Sequence, residues 1–298
     1  MKEKIKHLLK EKNAIMLAHN YQPPEIQDLA DLCGDSLELS IKAAQTDAEV
    51  ILFCGVHFMA ETASILSPDK TVLLPVKDAG CPMADMVTPE QLKVKLDKLP
   101  PMPVVTYVNS TASVKAISTI CCTSANAIDV VNSLEETEIM MVPDKNLAMY
   151  TAANTEKKIH LWEGYCPVHE GLTAQACIKT KDKYPDAVFM AHPECRPEVL
   201  ELADIIASTS GMIRSAKESA KKAFIIGSEI GLIHALKKAN PGKKFYPAST
   251  LMECMDMKKI TIEDIARSLE LLEGEVKVPE NIRQPALKAV QRMIDLSL

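Results

Sequence analysis

Three cysteines stand in phase along this chain: Cys81, Cys166 and Cys254, separated by 85 and 88 residues. Thiolates converging from such distant positions suit a soft metal centre. Their spacing excludes the local Cys-x-x-Cys pairs of zinc ribbons and ferredoxins. A cubane iron–sulfur cluster takes four ligands, so three cysteines leave one iron open to polarise a substrate oxygen as a Lewis acid. Two further sets keep the same phase. His19, Asn109 and His192 each directly follow a short apolar run, and Ser36, Ser124 and Thr209 come 17, 15 and 17 residues later. The three hydroxyl residues are placed to cap helix starts, whose free N–H groups and dipole favour anions. Such a set suits a small substrate with several anionic groups. Tyr21, Tyr107, His169 and Glu194 are the candidates for proton transfer. Of the other cysteines, Cys33, Cys54, Cys121, Cys122 and Cys177 read as buried and inert. Cys195, next to Glu194, is the one close competitor for a site role.

The elements that must carry these residues recur three times. In the first copy the apolar runs Ala14–Ala18, Val50–Val56 and Thr71–Val76 read as buried parallel strands, with helices at Glu25–Leu32, Leu37–Ala44 and Met59–Leu66 between them. The second copy runs from Val104–Val108 through Ile139–Val142 to Lys158–Trp162, and the third from Ala187–Ala191 through Ala223–Gly227 to Lys244–Ala248. Alternating strand and helix predict an α/β fold: three αβα units with small parallel sheets, related by a pseudo-threefold axis. The expected boundaries are 1–83, 84–168 and 169–257, followed by a helical tail, 258–298, packing back on the first unit. Ligands of parallel α/β units bind beyond the carboxyl ends of the strands. A threefold arrangement therefore brings the in-phase residues to one central point.

Composition is that of an ordinary globular chain: 298 residues, 47% hydrophobic, 25% charged and 4% aromatic. A net charge of −6 argues against nucleic-acid or membrane-surface partners, and anionic ligands must be held locally against the overall field. No run approaches the roughly 20 apolar residues of a membrane span. The charged segment Met1–Asn13 does not resemble a signal peptide, and nine cysteines then suggest a reducing, cytoplasmic setting.

With these residues in view, the chain resembles the quinolinate synthase family over nearly its whole length. The resemblance is carried by Leu17-Ala18-His19-Asn20-Tyr21-Gln22, Gly34-Asp35-Ser36-Leu37, Tyr107-Val108-Asn109-Ser110-Thr111 and Cys122-Thr123-Ser124-Ala125-Asn126. It continues in Pro143-Asp144-Lys145-Asn146-Leu147, Cys166-Pro167-Val168-His169, His192-Pro193-Glu194-Cys195 and Ser208-Thr209. It implies a triangular protein of three α/β domains with a [4Fe-4S] cluster at the centre, ligated by Cys81, Cys166 and Cys254. The implied reaction condenses iminosuccinate (iminoaspartate) with dihydroxyacetone phosphate to quinolinate in de novo NAD biosynthesis, with loss of phosphate and two waters. In class terms that is a transferase, and L-aspartate oxidase is the implied source of the imine. His19, Ser36, Tyr107, Asn109, Ser124, His192, Glu194 and Thr209 match the substrate contacts, and Tyr21 and Glu194 the proton-transfer residues, with His169 and Tyr107 beside them. Some members carry two further cysteines before the last ligand; Ala248 and Leu251 stand there, so a disulfide switch is not available.

Two other classes remain compatible with the residues. One is another [4Fe-4S] hydro-lyase acting on a small dicarboxylate without a phosphorylated co-substrate. The other is not an enzyme: a cluster-based sensor or a small-anion binding protein, which has no need of Tyr21.

Overall fold

The structure, a computed structural model, describes residues 1–297. In the first unit, strands β1 (Ala14–His19), β2 (Leu32–Gly34), β3 (Val50–Cys54) and β4 (Thr71–Leu73) form one parallel sheet in the order β2-β1-β3-β4. The second unit repeats the arrangement with β5 (Val104–Tyr107), β6 (Ile120–Cys122), β7 (Glu138–Val142) and β8 (Lys158–Leu161), ordered β6-β5-β7-β8. The third repeats it again with β9 (Val188–Ala191), β10 (Ile205–Ile206), β11 (Ala223–Gly227) and β12 (Lys244–Pro247), ordered β10-β9-β11-β12. The fold is therefore α/β, with three repeated αβα units. The sheets fall within residues 1–83, 84–168 and 169–257, which we propose as the units.

The central strands are apolar without alternation because helices cover both faces of each sheet. All five residues of β3 are buried, and β3 pairs with β1 from Ala14↔Val50 to Ala18↔Cys54. Phe53, Phe189 and Phe224 are among the largest buried side chains. Truncating one of them to alanine costs about 3–5 kcal/mol.

The region of β2 departs from the sequence expectation. A helix over Glu25–Leu32 was expected from Ile26, Leu29 and Ala30, but the helix ends after one turn, at Gln27, and the chain turns into the edge strand β2. The cause is a side chain. Asp31 accepts the Met16 N–H at 2.8 Å while its own N–H donates to the Met16 carbonyl at 2.9 Å. Thr119 binds Val104 in the same way, and Asp204 binds Phe189. Each unit thus clips its edge strand to the middle of the sheet with a polar residue 15 positions beyond the strand residue that it holds. Pairing with a neighbouring strand outweighs the local helical pattern.

Polar contacts join the units. Between the first and second, the fully buried Lys115 donates to Thr62 Oγ1 at 2.7 Å, and the Ala112 N–H donates to Glu61 at 2.9 Å. Between the first and third, Asn20 Nδ2 donates to Thr209 Oγ1 at 2.9 Å and Ser208 Oγ to Asp35 at 3.2 Å. Between the second and third, Asn146 Nδ2 donates to the Glu194 carbonyl at 3.0 Å.

The C-terminal segment divides its packing. The helix Ile262–Leu271 lies on the helix Lys2–Glu11 of the first unit, whereas the helix Glu280–Asp295 lies on His57–Leu66 of the first unit and on β6 and Ala112–Lys115 of the second. Between these helices the chain runs beside β4, where Leu74 N–H donates to the Gly274 carbonyl at 2.9 Å. Gly274 has φ +92°, and a Cβ there would lie 2.3 Å from the Leu74 carbonyl, so glycine is required.

Candidate functional site

The carboxyl ends of β1, β5 and β9 face a central cavity. The first unit contributes His19, Tyr21, Ser36 and Cys81 to its wall. The segment 84–168 contributes Tyr107, Asn109, Ser124 and Cys166, with His169 just beyond. The third unit contributes His192, Glu194, Thr209 and Cys254. Every residue singled out by its phase in the sequence therefore lines one cavity. No lysine or arginine does so among the described residues, so charge-neutral donors carry the wall's hydrogen bonding.

The hydroxyl residues take a different local role from the one expected. Ser36 and Thr209 are the first residues of their helices, and the N-caps are Asp35 and Ser208. Asp35 Oδ1 accepts the amides of Leu37 and Glu38, both at 3.1 Å, and Glu38 completes a capping box. A carboxylate already occupies those helix amides, so the first helix start is not the free anion seat that was expected. The helix after Ser124 starts later, with Asn126 at the cap position and no side-chain cap bond. Asp35 and Ser208 cap the first and third of these helices, and Ser36, Ser124 and Thr209 all line the cavity wall.

His19 and His192 occupy matching positions and share a geometry. The Nδ1 of each accepts a backbone N–H two residues on, from Tyr21 at 3.2 Å and from Glu194 at 3.3 Å. The proton of each neutral ring therefore sits on Nε2. That of His192 lies 3.1 Å from Ser124 Oγ. Burial lowers the pKa of His19 to about 3, helped by His192 and Lys258 against Glu194. Burial also lowers that of His192 to about 3, against Glu194 and helped by His169. Both rings are uncharged donors at neutral pH.

A continuous hydrogen-bond chain crosses the site. Tyr21 Oη is 2.8 Å from Ser228 Oγ, which is 3.2 Å from His169 Nε2. His169 Nδ1 is 2.7 Å from Glu194 Oε2, and Tyr107 Oη donates to Glu194 Oε1 at 2.6 Å. One proton arrangement satisfies every link, with Tyr21 donating to Ser228, Ser228 to His169, and His169 and Tyr107 to the carboxylate. Burial pushes the Glu194 pKa up, but His169 and His192, with hydrogen bonds from His169 and Tyr107, outweigh it and hold the carboxyl below the usual range. Burial, then Glu194, push both tyrosines well above the ordinary phenol value, so both stay protonated donors.

The thiols of Cys81, Cys166 and Cys254 reach this cavity from three separate segments, each half-buried. Burial pushes Cys81 up to about 12 and raises the other two, so a metal must displace their protons on binding. Cys195, the competitor, lies wholly buried off the cavity wall, with its thiol donating to the Gly227 carbonyl at 3.4 Å. The ligand atoms of Cys166, His169 and Glu194 also lie within 4.8 Å of one another. That trio has a single thiol, and its contacts are hydrogen bonds. His169 Nδ1 is 3.2 Å from Cys166 Sγ but only 2.7 Å from the carboxylate, which is the stronger partner. The three-thiol set is the better soft-metal donor set, and it fits an iron–sulfur group.

Residues 3–295 match the family model described as quinolinate synthetase A protein. The chain belongs to that family. It is 57% identical to the quinolinate synthase of Geotalea uraniireducens (strain Rf4) over 294 residues, covering 99% of this chain and 97% of the relative. Against the quinolinate synthase of Methanosarcina barkeri (strain Fusaro / DSM 804) it is 55% identical over 296 residues, covering 99% and 97%. That of Thermodesulfovibrio yellowstonii (strain ATCC 51303 / DSM 11347 / YP87) is 55% identical over 295 residues, again with 99% and 97% covered.

Three polar residues of the site were not singled out in the sequence. Ser228 links Tyr21 to His169, and Glu229 lies on the cavity wall. Asp144 accepts the Cys166 N–H at 3.1 Å. A signal was present: Asp144 and Glu229 each stand two residues beyond the third strand of their unit, a position that Val56 fills in the first.

Proposed function

We propose that this chain acts as a quinolinate synthase, condensing iminosuccinate with dihydroxyacetone phosphate to quinolinate and releasing phosphate and two waters, in de novo NAD biosynthesis. The observation that carries the reading is the convergence of all three in-phase residue sets on one central cavity. In this reading Cys81, Cys166 and Cys254 hold a [4Fe-4S] cluster. Three thiols on the wall, with no fourth cysteine there among the described residues, support three ligands and one open iron. Such a group supplies a Lewis acid for a substrate oxygen when bound.

The protein's own residues then divide the work. His19 and His192, as uncharged Nε2–H donors, and the hydroxyls of Ser36, Ser124 and Thr209 suit the carboxylates of iminosuccinate without drawing a lysine into the reacting imine chemistry. Asn109 Oδ1 is buried without a partner, an acceptor suited to a ligand N–H or O–H. Tyr107 fixes Glu194 by its short hydrogen bond. Condensation removes protons from carbon, and loss of water or phosphate delivers protons to departing oxygens. The chain Tyr21–Ser228–His169–Glu194 has a hydroxyl at one end and a carboxylate at the other, so it can accept and return protons without bulk water. Burial of the site keeps water from the unstable imine.

The reading makes the enzyme a transferase of the cytoplasm, supplied with iminosuccinate by an L-aspartate oxidase. None of the described helices is long and apolar enough to cross a membrane. The test is quinolinate formation by anaerobically purified protein given dihydroxyacetone phosphate and iminosuccinate generated in situ. Product that requires both substrates is expected. Protein with a full cluster that makes none would return the choice to a hydro-lyase of small dicarboxylates or a sensor.

A further inference from the structure

Glu229 is fully buried, lies on the cavity wall, and has no part in the proton chain. Its Oε1 accepts the Cys254 N–H at 3.1 Å and lies 2.7 Å from Lys258 Nζ. Its Oε2 accepts the Gly231 N–H at 2.7 Å. Lys258 Nζ donates in turn to the Tyr21 backbone carbonyl. Gly231 closes the same ring from the other side: a Cβ there would lie 2.8 Å from both the Tyr21 carbonyl and Glu229 Oε2. One carboxylate and one ammonium thus join the loop that carries Cys254 in the third unit to the backbone of Tyr21 in the first.

The repeat makes the arrangement informative. At the matching position of the second unit, Asp144 Oδ2 accepts the Cys166 N–H at 3.1 Å while Oδ1 accepts the Leu147 N–H at 2.7 Å. In the first unit Val56 stands there, and Asp256 accepts the N–H of Gly80, the residue before Cys81, at 3.3 Å. Two of the three cysteines therefore have their own amide held by a buried carboxylate, and Glu229 has a lysine partner that also reaches Tyr21.

Resting on the proposed cluster, we infer that Glu229 and Lys258 form a positioning pair that sets Cys254 against Tyr21 and fixes the charge beside the cluster. Cluster potential responds to nearby net charge and to hydrogen bonding around its ligands. Removing the carboxylate leaves an unmatched lysine and raises the potential. Removing the lysine leaves an unmatched carboxylate and lowers it.

The experiment is an anaerobic redox titration of the reconstituted wild-type, Glu229→Gln, Lys258→Met and Lys258→Arg proteins at pH 8, followed by electron paramagnetic resonance. Circular dichroism and iron and sulfide analysis accompany it. Glu229→Gln is expected to shift the midpoint upward, Lys258→Met downward, and Lys258→Arg to stay near wild type. Turnover of Glu229→Gln should fall about tenfold or more with KM little changed, as misplacement of a reacting group does. A folded Glu229→Gln protein that no longer retains its cluster also supports the holding of Cys254. Unchanged midpoints and spectra in both charge-removing variants, or shifts of the same sign, overturn the inference. If wild-type protein with a full cluster makes no quinolinate, the functional reading falls while the midpoint shifts still decide this one.

Discussion

Tyr107 and Glu194 meet across the boundary between the second and third units, with Tyr107 Oη donating to Glu194 Oε1 at 2.6 Å. Both side chains are buried, so the bond is made to a charge shielded from water. Such bonds contribute about 1.5–3 kcal/mol. Tyr107→Phe should therefore lower quinolinate turnover about 10–100-fold while iron content stays at the wild-type level. Steady-state assays on reconstituted protein measure this, and wild-type turnover would show that Glu194 needs no such support.

Tyr21 ends the proton chain. Tyr21→Phe removes the side chain's only exchangeable proton but keeps the ring that packs edge-on to His19, with centroids 4.5 Å apart. Turnover should fall by well over tenfold, within the roughly 10²–10⁴-fold range of general acid–base groups, with the cluster retained. Ser228→Ala cuts the chain one link further on and should also reduce turnover, by a smaller factor. Full activity in Tyr21→Phe removes the residue from the chemistry and favours the sensor reading.

The cysteines separate into two groups by position. Cys81→Ser, Cys166→Ser and Cys254→Ser should each yield protein without a stable cluster, seen as loss of iron, of sulfide and of the broad visible absorbance. Cys33→Ser lies outside the cavity wall and should keep all three signals. Unchanged iron and sulfide in Cys166→Ser would refute the ligand assignment.

Acid should destabilise the metal-free protein through His19 and His192. Each has a folded pKa of about 3 against 6.5 in the unfolded chain. Between those values the unfolded state binds more protons, so stability rises with pH. The contribution is full above pH 6.5 and is lost as pH falls from there toward 3. Thermal denaturation at a series of pH values should show Tm falling below pH 6.5, and less steeply in His192→Gln. Equal slopes for the two proteins would exclude His192 as a source.

Much of this molecule is legible along the chain. The apolar runs gave the central strands within a few residues, because a strand covered on both faces must be apolar throughout. The edge strand at Leu32–Gly34 was hidden. Its first residue, Leu32, read as the end of a helix, and the reach of Asp31 back to Met16 clips the segment to the sheet as a strand. The phase of cysteines, histidines and hydroxyls located the site, since a repeat places equivalent positions around one axis. Capping was misassigned by one residue at Ser36 and Thr209, where Asp35 and Ser208 compete more effectively for the amides.

The sequence by itself determined the three-unit α/β architecture, the site's position and its chemically capable side chains, all consequences of periodicity and residue type. Tertiary structure alone decided how those side chains are wired. The bonds of Tyr107 to Glu194, Tyr21 to Ser228 and Lys258 to Glu229 span 87, 207 and 29 residues. No local pattern encodes contacts between residues so far apart, because their partners are set by how the chain packs around the common centre.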